Sequence, residues 1–218
     1  NLPWVSISQT SAISTAAAAC SGCHLITEAE YLTIAQNVLN VASNWSGGVV
    51  GTGYIYSGHN DNAPANALVA DANDANGYAG ETNTGGNQRR TLTISNGQVI
   101  WDIAGNVYNW TQGTIAGTQQ PGLPSETSYA WKQYNNANLI QNGFPGSAMP
   151  AFGTSAASGW SSAQGIGQMF SNYGDTLARS FIRGCYWGNG TTAGLFSINM
   201  NIFSANASDI AISFRVAR

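Results

Sequence analysis

Residues Arg183–Arg218 read RGCYWGNGTTAGLFSINMNIFSANASDIAISFRVAR, and three textures succeed one another within them. Leu195–Met200 has strand character, and Ile210, Ile212, Phe214 and Val216 alternate with Ala211, Ser213, Arg215 and Ala217. A period of two is what a strand with one buried face imposes on its sequence. The alternation therefore predicts a closing strand inside a sheet, its large apolar set on the core and its small set opposite. Between the two strand patterns lies Asn201–Asp209, small, polar and without any period. The chain thus ends in two strands that bracket an irregular segment.

Working outward, the next strand signals lie at 91–111. Thr91–Ile94 and Gln98–Asp102 flank Ser95-Asn96-Gly97, and Asn-Gly accommodates the positive φ angles of a type I′ hairpin turn. A second turn at Asp102–Asn106 leads into Val107–Thr111. Further back, Thr27-Glu28-Ala29-Glu30 is a capping box followed by Tyr31, Ile34, Val38 and Val41 at helical spacing, which predicts a helix to about Ala42. A weaker alanine-rich helix is predicted over Ser11–Ala19. Residues 45–86 are rich in Gly, Asn and Asp and read as loop, without the Glu at position twelve that an EF-hand needs. Residues 112–178 form an irregular insertion with rings at Tyr129, Trp131, Tyr134, Phe144, Phe152, Trp160, Phe170 and Tyr173. A structureless loop of that length is improbable in a compact domain, so short helices and turns pinned by the rings are predicted, with Ser162–Tyr173 as the helical piece. The sum is an α+β chain, one domain over residues 1–218.

Composition narrows the function classes. Charged residues are 8% of the chain, against roughly 25% on average, so its surface adheres by hydrogen bonding rather than by charge. A net charge of −3 and a single lysine, Lys132, exclude the basic stripe that nucleic-acid binding needs. No apolar run reaches the roughly 18 to 20 residues of a spanning helix, and Asn1-Leu2-Pro3-Trp4 has no signal-peptide character, so a soluble chain is expected. The three cysteines, Cys20, Cys23 and Cys185, are too few for a disulfide framework. Cys20 and Cys23 with His24 read as packed thiols or one local bridge; a redox motif would require a βαβ context and zinc a fourth ligand.

Several of these segments resemble one superfamily, that of the formylglycine-generating enzyme. Leu25-Ile26-Thr27-Glu28-Ala29-Glu30-Tyr31 resembles its L-P-T-E-A-E-W helix start, and Trp101–Thr111, WDIAGNVYNWT, its W-D-x-x-G-N-V-W-E-W-T motif. Arg183-Gly184-Cys185, with Ile212-Ser213-Phe214-Arg215-Val216, is similar to its R-G-G and G-F-R-C/V pair. The resemblance implies a C-type lectin fold: two helices, a small twisted mainly antiparallel sheet and long irregular insertions. Tyr186–Phe196, YWGNGTTAGLF, further resembles the N-W-N-N-G-x-N-A-G-x-F pattern of variable proteins made by diversity-generating retroelements, in which adenine-directed mutagenesis rewrites Asn codons. It implies a candidate variable region at 183–218 with diversified ligand-reading positions at Tyr186, Gly188, Asn189, Thr192, Asn201, Ile202, Asn206, Ser208, Asp209 and Ile210. Trp187, Gly190, Gly194, Phe196, Ile198, Ile212 and Phe214 are suited to holding the backbone beneath them.

The function so implied is non-catalytic ligand binding and display. The partner would be a macromolecular or cell-surface ligand, and the setting extracellular, on a cell surface or on a virion of a phage or archaeal virus. A fixed-specificity lectin or adhesin is the alternative, although lectin E-P-N and Q-P-D motifs are absent. The superfamily's oxidases place reactive cysteines where this chain has Gly188-Asn189-Gly190, and its iron enzymes need more histidines than His24 and His59. No G-x-S-x-G elbow occurs either. Superfamily enzymes hold calcium at the second motif, which maps to Asp102, Gly105, Val107 and Asn109; Asn109 replaces a Glu and weakens such a site. The other reading of Asp102 and Asn109 is that they hydrogen-bond the turn. No other cofactor is expected.

Overall fold

The computed structural model describes residues 3–61, 88–136, 138–140, 160–202 and 208–218. Two α-helices precede most of the strands. Helix α1 spans Gln9–Ala19, starting a little before the predicted Ser11 because Ser8 caps it, its hydroxyl accepting the Ser11 amide at 3.2 Å. Helix α2 spans Glu28–Leu39 behind the predicted capping box: the Glu30 amide donates to Thr27 Oγ1 at 3.2 Å and the Thr27 amide to Glu30 Oε2 at 2.9 Å. It stops short of Ala42 because the Asn40 and Val41 amides bond three residues back, tightening the last turn into a 3₁₀ segment at Ala42–Asn44.

The strands are β1 His24–Leu25, β2 Thr91–Thr93, β3 Val99–Trp101, β4 Tyr108–Ile115, β5 Ala130–Lys132, β6 Met169–Ser171, β7 Arg179–Arg183, β8 Ile198–Ile202, β9 Ile212–Phe214 and β10 Val216–Ala217. Six of them form one sheet in the order β5-β6-β8-β7-β4-β9, parallel at β6–β8 and β4–β9 and antiparallel elsewhere. β1 pairs with β10, and β2 with β3, as separate antiparallel pairs. The chain is therefore α+β with mainly antiparallel pairing. No helix among the described residues is long and apolar enough to cross a membrane.

Opposed residues in a sheet share a face, so its registers define a row: Trp131, Phe170, Asn199, Ile182, Trp110 and Phe214. Helix α1 covers the Trp110 end of this row, where Ala12 and Ala16, both 0% exposed, pack in one cluster with Trp110, Ile182 and Ile212. At the other end Trp131, Phe170 and Asn199 are only half-buried. The opposite face, with Ile115, Met169, Phe181, Ile198 and Met200, packs against Tyr31, Leu32, Val38 and Leu39 of α2. Helix and sheet are also tied by a buried ion pair, Arg183 Nε to Glu28 Oε2 at 2.9 Å.

Three expectations are corrected. The closing alternation places only part of its large set on the core: Ile212 is buried and Phe214 packs beside it, but Ile210 is 69% and Val216 45% exposed, while Ala211 and Ser213 are buried. The strand is two strands. β9 is an edge strand beside β4, and after Arg215 the chain leaves that sheet to pair with β1, which breaks the face assignment. The 91–101 hairpin does not turn through type I′: Gly97 has φ 84 and Asn96 is absent from the positive-φ residues. Its Ile94 amide bonds Gln98 O at 2.9 Å and Gly97 N–H bonds Ile94 O at 2.8 Å, the three-residue turn with a glycine bulge. Ser162–Tyr173 is not a helix but a 3₁₀ turn at Ser162–Gln164 followed by β6. Gly167, with φ 85, separates the two, and a Cβ at Gly194 would lie 2.3 Å from the Gly167 nitrogen, so two backbones cross there with no room for side chains.

The insertion is pinned by polar groups as well as by rings. Gln120, 0% exposed, donates to Tyr129 Oη at 2.8 Å and to Asp175 Oδ2 at 3.1 Å, and its carbonyl oxygen accepts the Asn172 amide at 3.0 Å. Trp160 packs on Trp45 at 4.9 Å between centroids, and Tyr134 Oη donates to Phe196 O at 2.5 Å. Phe144 and Phe152 lie outside the described residues.

Candidate ligand-binding cleft

The half-covered end of the sheet row opens into a cleft of about 360 Å³. Its walls carry Tyr108, Trp131, Phe170 and Tyr186; Ile182, Ala211 and Ile212 are apolar lining, and Asn189, Asn199, Ile202 and Asp209 also line it among the described residues. The rings come in two pairs. Tyr108 and Tyr186 stack at 5.4 Å with an interplanar angle of 26°, and Trp131 meets Phe170 at 5.0 Å and 41°. The Tyr108 phenol is mostly buried, which pushes its pKa upward, and its hydroxyl interacts with Cys185, Asn199 and Asn189. Ile202 reaches the cleft through a register shift between Ser180 and Ile182. Simple alternation from Ile198 and Met200 would turn it to the other face, whereas an irregularity of this kind re-aims the side chain.

Of the ten candidate positions, Tyr186, Asn189, Ile202 and Asp209 are brought together here from three separate segments. Tyr186 precedes a 3₁₀ segment, Trp187–Thr192, held by the Tyr186 amide to Asn189 Oδ1 at 3.1 Å and the Trp187 amide to Asn106 O at 3.1 Å. Gly188 sits against the Tyr186 ring, where a Cβ would come within 2.7 Å of it. The Thr192 hydroxyl donates to Asn189 O at 2.8 Å, so Thr192 serves the turn and does not line the cleft. Asn201, Ser208 and Ile210 are exposed but do not line it, and Asn206 lies outside the described residues. Of the proposed anchors, Gly194, Phe196, Ile198 and Ile212 are buried, while Trp187 and Phe214 are half-buried.

Sequence reasoning missed Tyr108, Trp131, Phe170 and Asn199. The signal was weak: Trp131 and Phe170 stand in strands of three residues, too short for a period, and only the sheet register shows that they share a face.

Cys20 and Cys23 form a local disulfide, and His24 Nε2 lies 2.9 Å from the Glu30 carboxylate. Cys185 is 0% exposed, and burial pushes its thiol up to about 12; its Sγ contacts Thr192 O at 3.7 Å. Its φ of 65 follows Gly184 at 83, a left-handed pair in which a side chain is unusual.

The donor set expected for calcium does not suit a divalent cation. Arg90 Nε donates to both Asp102 oxygens, at 2.9 and 3.1 Å, and Asn106 Nδ2 to Oδ2 at 3.1 Å. Asn109 Nδ2 faces Val107 O at 3.3 Å, and Gly105 lies in the same turn with φ 75. Arg215 Nη2 donates to Asp102 O at 2.5 Å, so two guanidiniums line the adjoining small cleft against one carboxylate. These residues are engaged in bracing the turn.

Compared with models of known protein families the chain matches none, and no curated protein matches it.

Proposed function

We propose that the chain is a non-catalytic recognition protein of C-type lectin fold, of the kind made by diversity-generating retroelements, which binds a macromolecular or cell-surface ligand from an extracellular, cell-surface or virion setting. The observation that carries this reading is convergence. Four positions picked out by resemblance alone, from a 3₁₀ segment, the end of β8 and the approach to β9, line one aromatic cleft. Concave sites with aromatic walls and a few convergent polar groups are where ligands bind, and a paratope sets rigid rings among adaptable Asn, Ser and Gly. A further support is Cys185, which stands at a glycine of the R-G-G element and has the left-handed φ that glycine favours. An oxidase would need an accessible thiolate, and the buried Cys185 thiol is the free cysteine of the chain.

Sequencing of the encoding locus tests the reading. A reverse transcriptase gene, an adenine-rich near-copy of the 183–218 segment, and substitutions in a growing population concentrated at the codons for Tyr186, Asn189, Ile202 and Asp209 are expected. Substitutions spread evenly along the gene, with no near-copy, overturn it.

A further inference from the structure

The carboxylates of this chain are used sparingly. Among the described residues six side-chain carboxylates have a basic partner inside the fold: Glu28 with Arg183, Glu30 with His24, Asp61 with His59, Asp102 with Arg90, Glu126 with Lys132 and Asp175 with Arg179. Asp209 is the described carboxylate left over. Its Oδ1 accepts the Ala211 amide at 2.8 Å, while Oδ2 has no donor among the described residues, and the side chain lines the aromatic cleft.

Among the described residues no basic side chain answers it. The seven Lys and Arg residues are Arg89, Arg90, Lys132, Arg179, Arg183, Arg215 and Arg218. None of them lines the cleft, and neither histidine does. The cleft therefore sets one negative charge among four aromatic side chains, whose ring quadrupoles also attract positive charge, with the carboxamides of Asn189 and Asn199 as further polar groups. An anionic ligand would meet repulsion from Asp209 without any compensating base. A neutral ligand would leave the charge unused.

We propose that in this chain the cleft receives a basic side chain, lysine or arginine, of a protein partner, with Asp209 as its counter-ion and the Trp131–Phe170 and Tyr108–Tyr186 pairs as its walls. This rests on the recognition reading and adds the chemical class of the ligand. It also divides the labour within the site. Tyr108, Trp131 and Phe170 stand outside the candidate variable positions and form a standing platform, while Asp209, at a replaceable position, sets the sign of charge that the platform accepts.

The test is a titration of the ¹⁵N-labelled protein, read at the Trp131 indole N–H, with acetylated and amidated Gly-Arg-Gly, Gly-Lys-Gly and Gly-norleucine-Gly peptides and with methyl glycosides. Saturable shifts with the two basic peptides and weaker or no shift with norleucine are expected. Asp209→Asn, an exposed change that leaves the fold intact, is expected to weaken the arginine peptide at least about threefold. Raised salt is expected to weaken it in the wild type and much less in the variant. Norleucine or a glycoside binding as tightly as arginine, an Asp209→Asn variant that binds arginine unchanged, or no shift with any probe overturns the proposal. A glycoside that binds at Trp131 sinks the basic-side-chain class alone and leaves the recognition reading standing. A locus without diversification sinks that reading and leaves the charge result untouched.

Discussion

Replacing Arg183 by methionine probes the joint on which the fold and the cleft both rest. Arg183 is 0% exposed and ends β7, directly after Ile182 of the cleft lining. Its Nε donates to Glu28 Oε2 at 2.9 Å, its Nη2 reaches the same oxygen, and its Nη1 donates to Phe196 O at 3.1 Å. Glu28 Oε1 accepts the Thr111 hydroxyl. Methionine keeps the apolar stem but leaves the 7%-exposed Glu28 with Thr111 as its remaining described donor and strips Phe196 O of its guanidinium. Removing one partner of a buried pair costs about 3–5 kcal/mol, because the other charge stays buried. For a chain of this size that is a fall in melting temperature of roughly 6–20 °C. Urea unfolding of Arg183→Met, Glu28→Gln and the double variant measures it. The double variant, which buries no charge, is expected to be more stable than Arg183→Met alone. An Arg183→Met loss below about 1 kcal/mol, or a double variant that loses the sum of the singles, refutes the reasoning.

The His24–Glu30 pair gives a pH signature. The hydrogen bond to Glu30, then that to Gly22 O, raise His24 above 6.5, so its contribution is complete below 6.5 and is lost as pH rises through the raised value. Burial alone would raise Glu30, but hydrogen bonds from Thr27 and His24 hold it below 4.5, so its contribution is lost as pH falls through the lowered value. Melting curves are expected to show a gain between pH 4.5 and 6.5 that fades on the alkaline side, and His24→Gln to flatten that fade. Cys185 is expected to resist iodoacetamide at pH 8 in the folded protein and to react fully in urea; native labelling would contradict its burial. Millimolar calcium, or EDTA, is expected to leave the melting temperature within about 1 °C, since ligand-linked stabilisation scales with saturation of a site; a calcium-dependent rise would show that Arg90 yields Asp102 to the ion.

What the sequence made legible was local. The capping box at Thr27 and the turn at Asp102–Asn106 depend on residues within a few positions, and both form as read. The closing strand was misread because alternation records a period but not a change of sheet, and Arg215 is where the chain changes sheet. The cleft was half legible for the same reason. Two of its residues, Tyr186 and Asn189, stand in a motif-like segment, while its platform depends on the pairing of Trp131 with Phe170 and of Phe170 with Asn199, contacts that join separate parts of the chain.

The cleft positions are not equally free to change. Asp209 and Ile202 contribute side chains to the cleft, and the one hydrogen bond between them and the other described residues that involves a side chain is the Ala211 amide to Asp209 Oδ1. Asn189 is more constrained, since its side-chain Oδ1 accepts the Tyr186 amide. Loss of such a cap costs about 0.5–2 kcal/mol, tolerable in a fold whose ion pairs, Arg183 with Glu28 above all, lie outside the cleft lining. Tyr186 and Gly188 are coupled by space: a side chain at 188 must displace the ring at 186, so a large residue at one position favours a small one at the other. If the surface varies as proposed, the limits that these contacts set on its variety are steric and local.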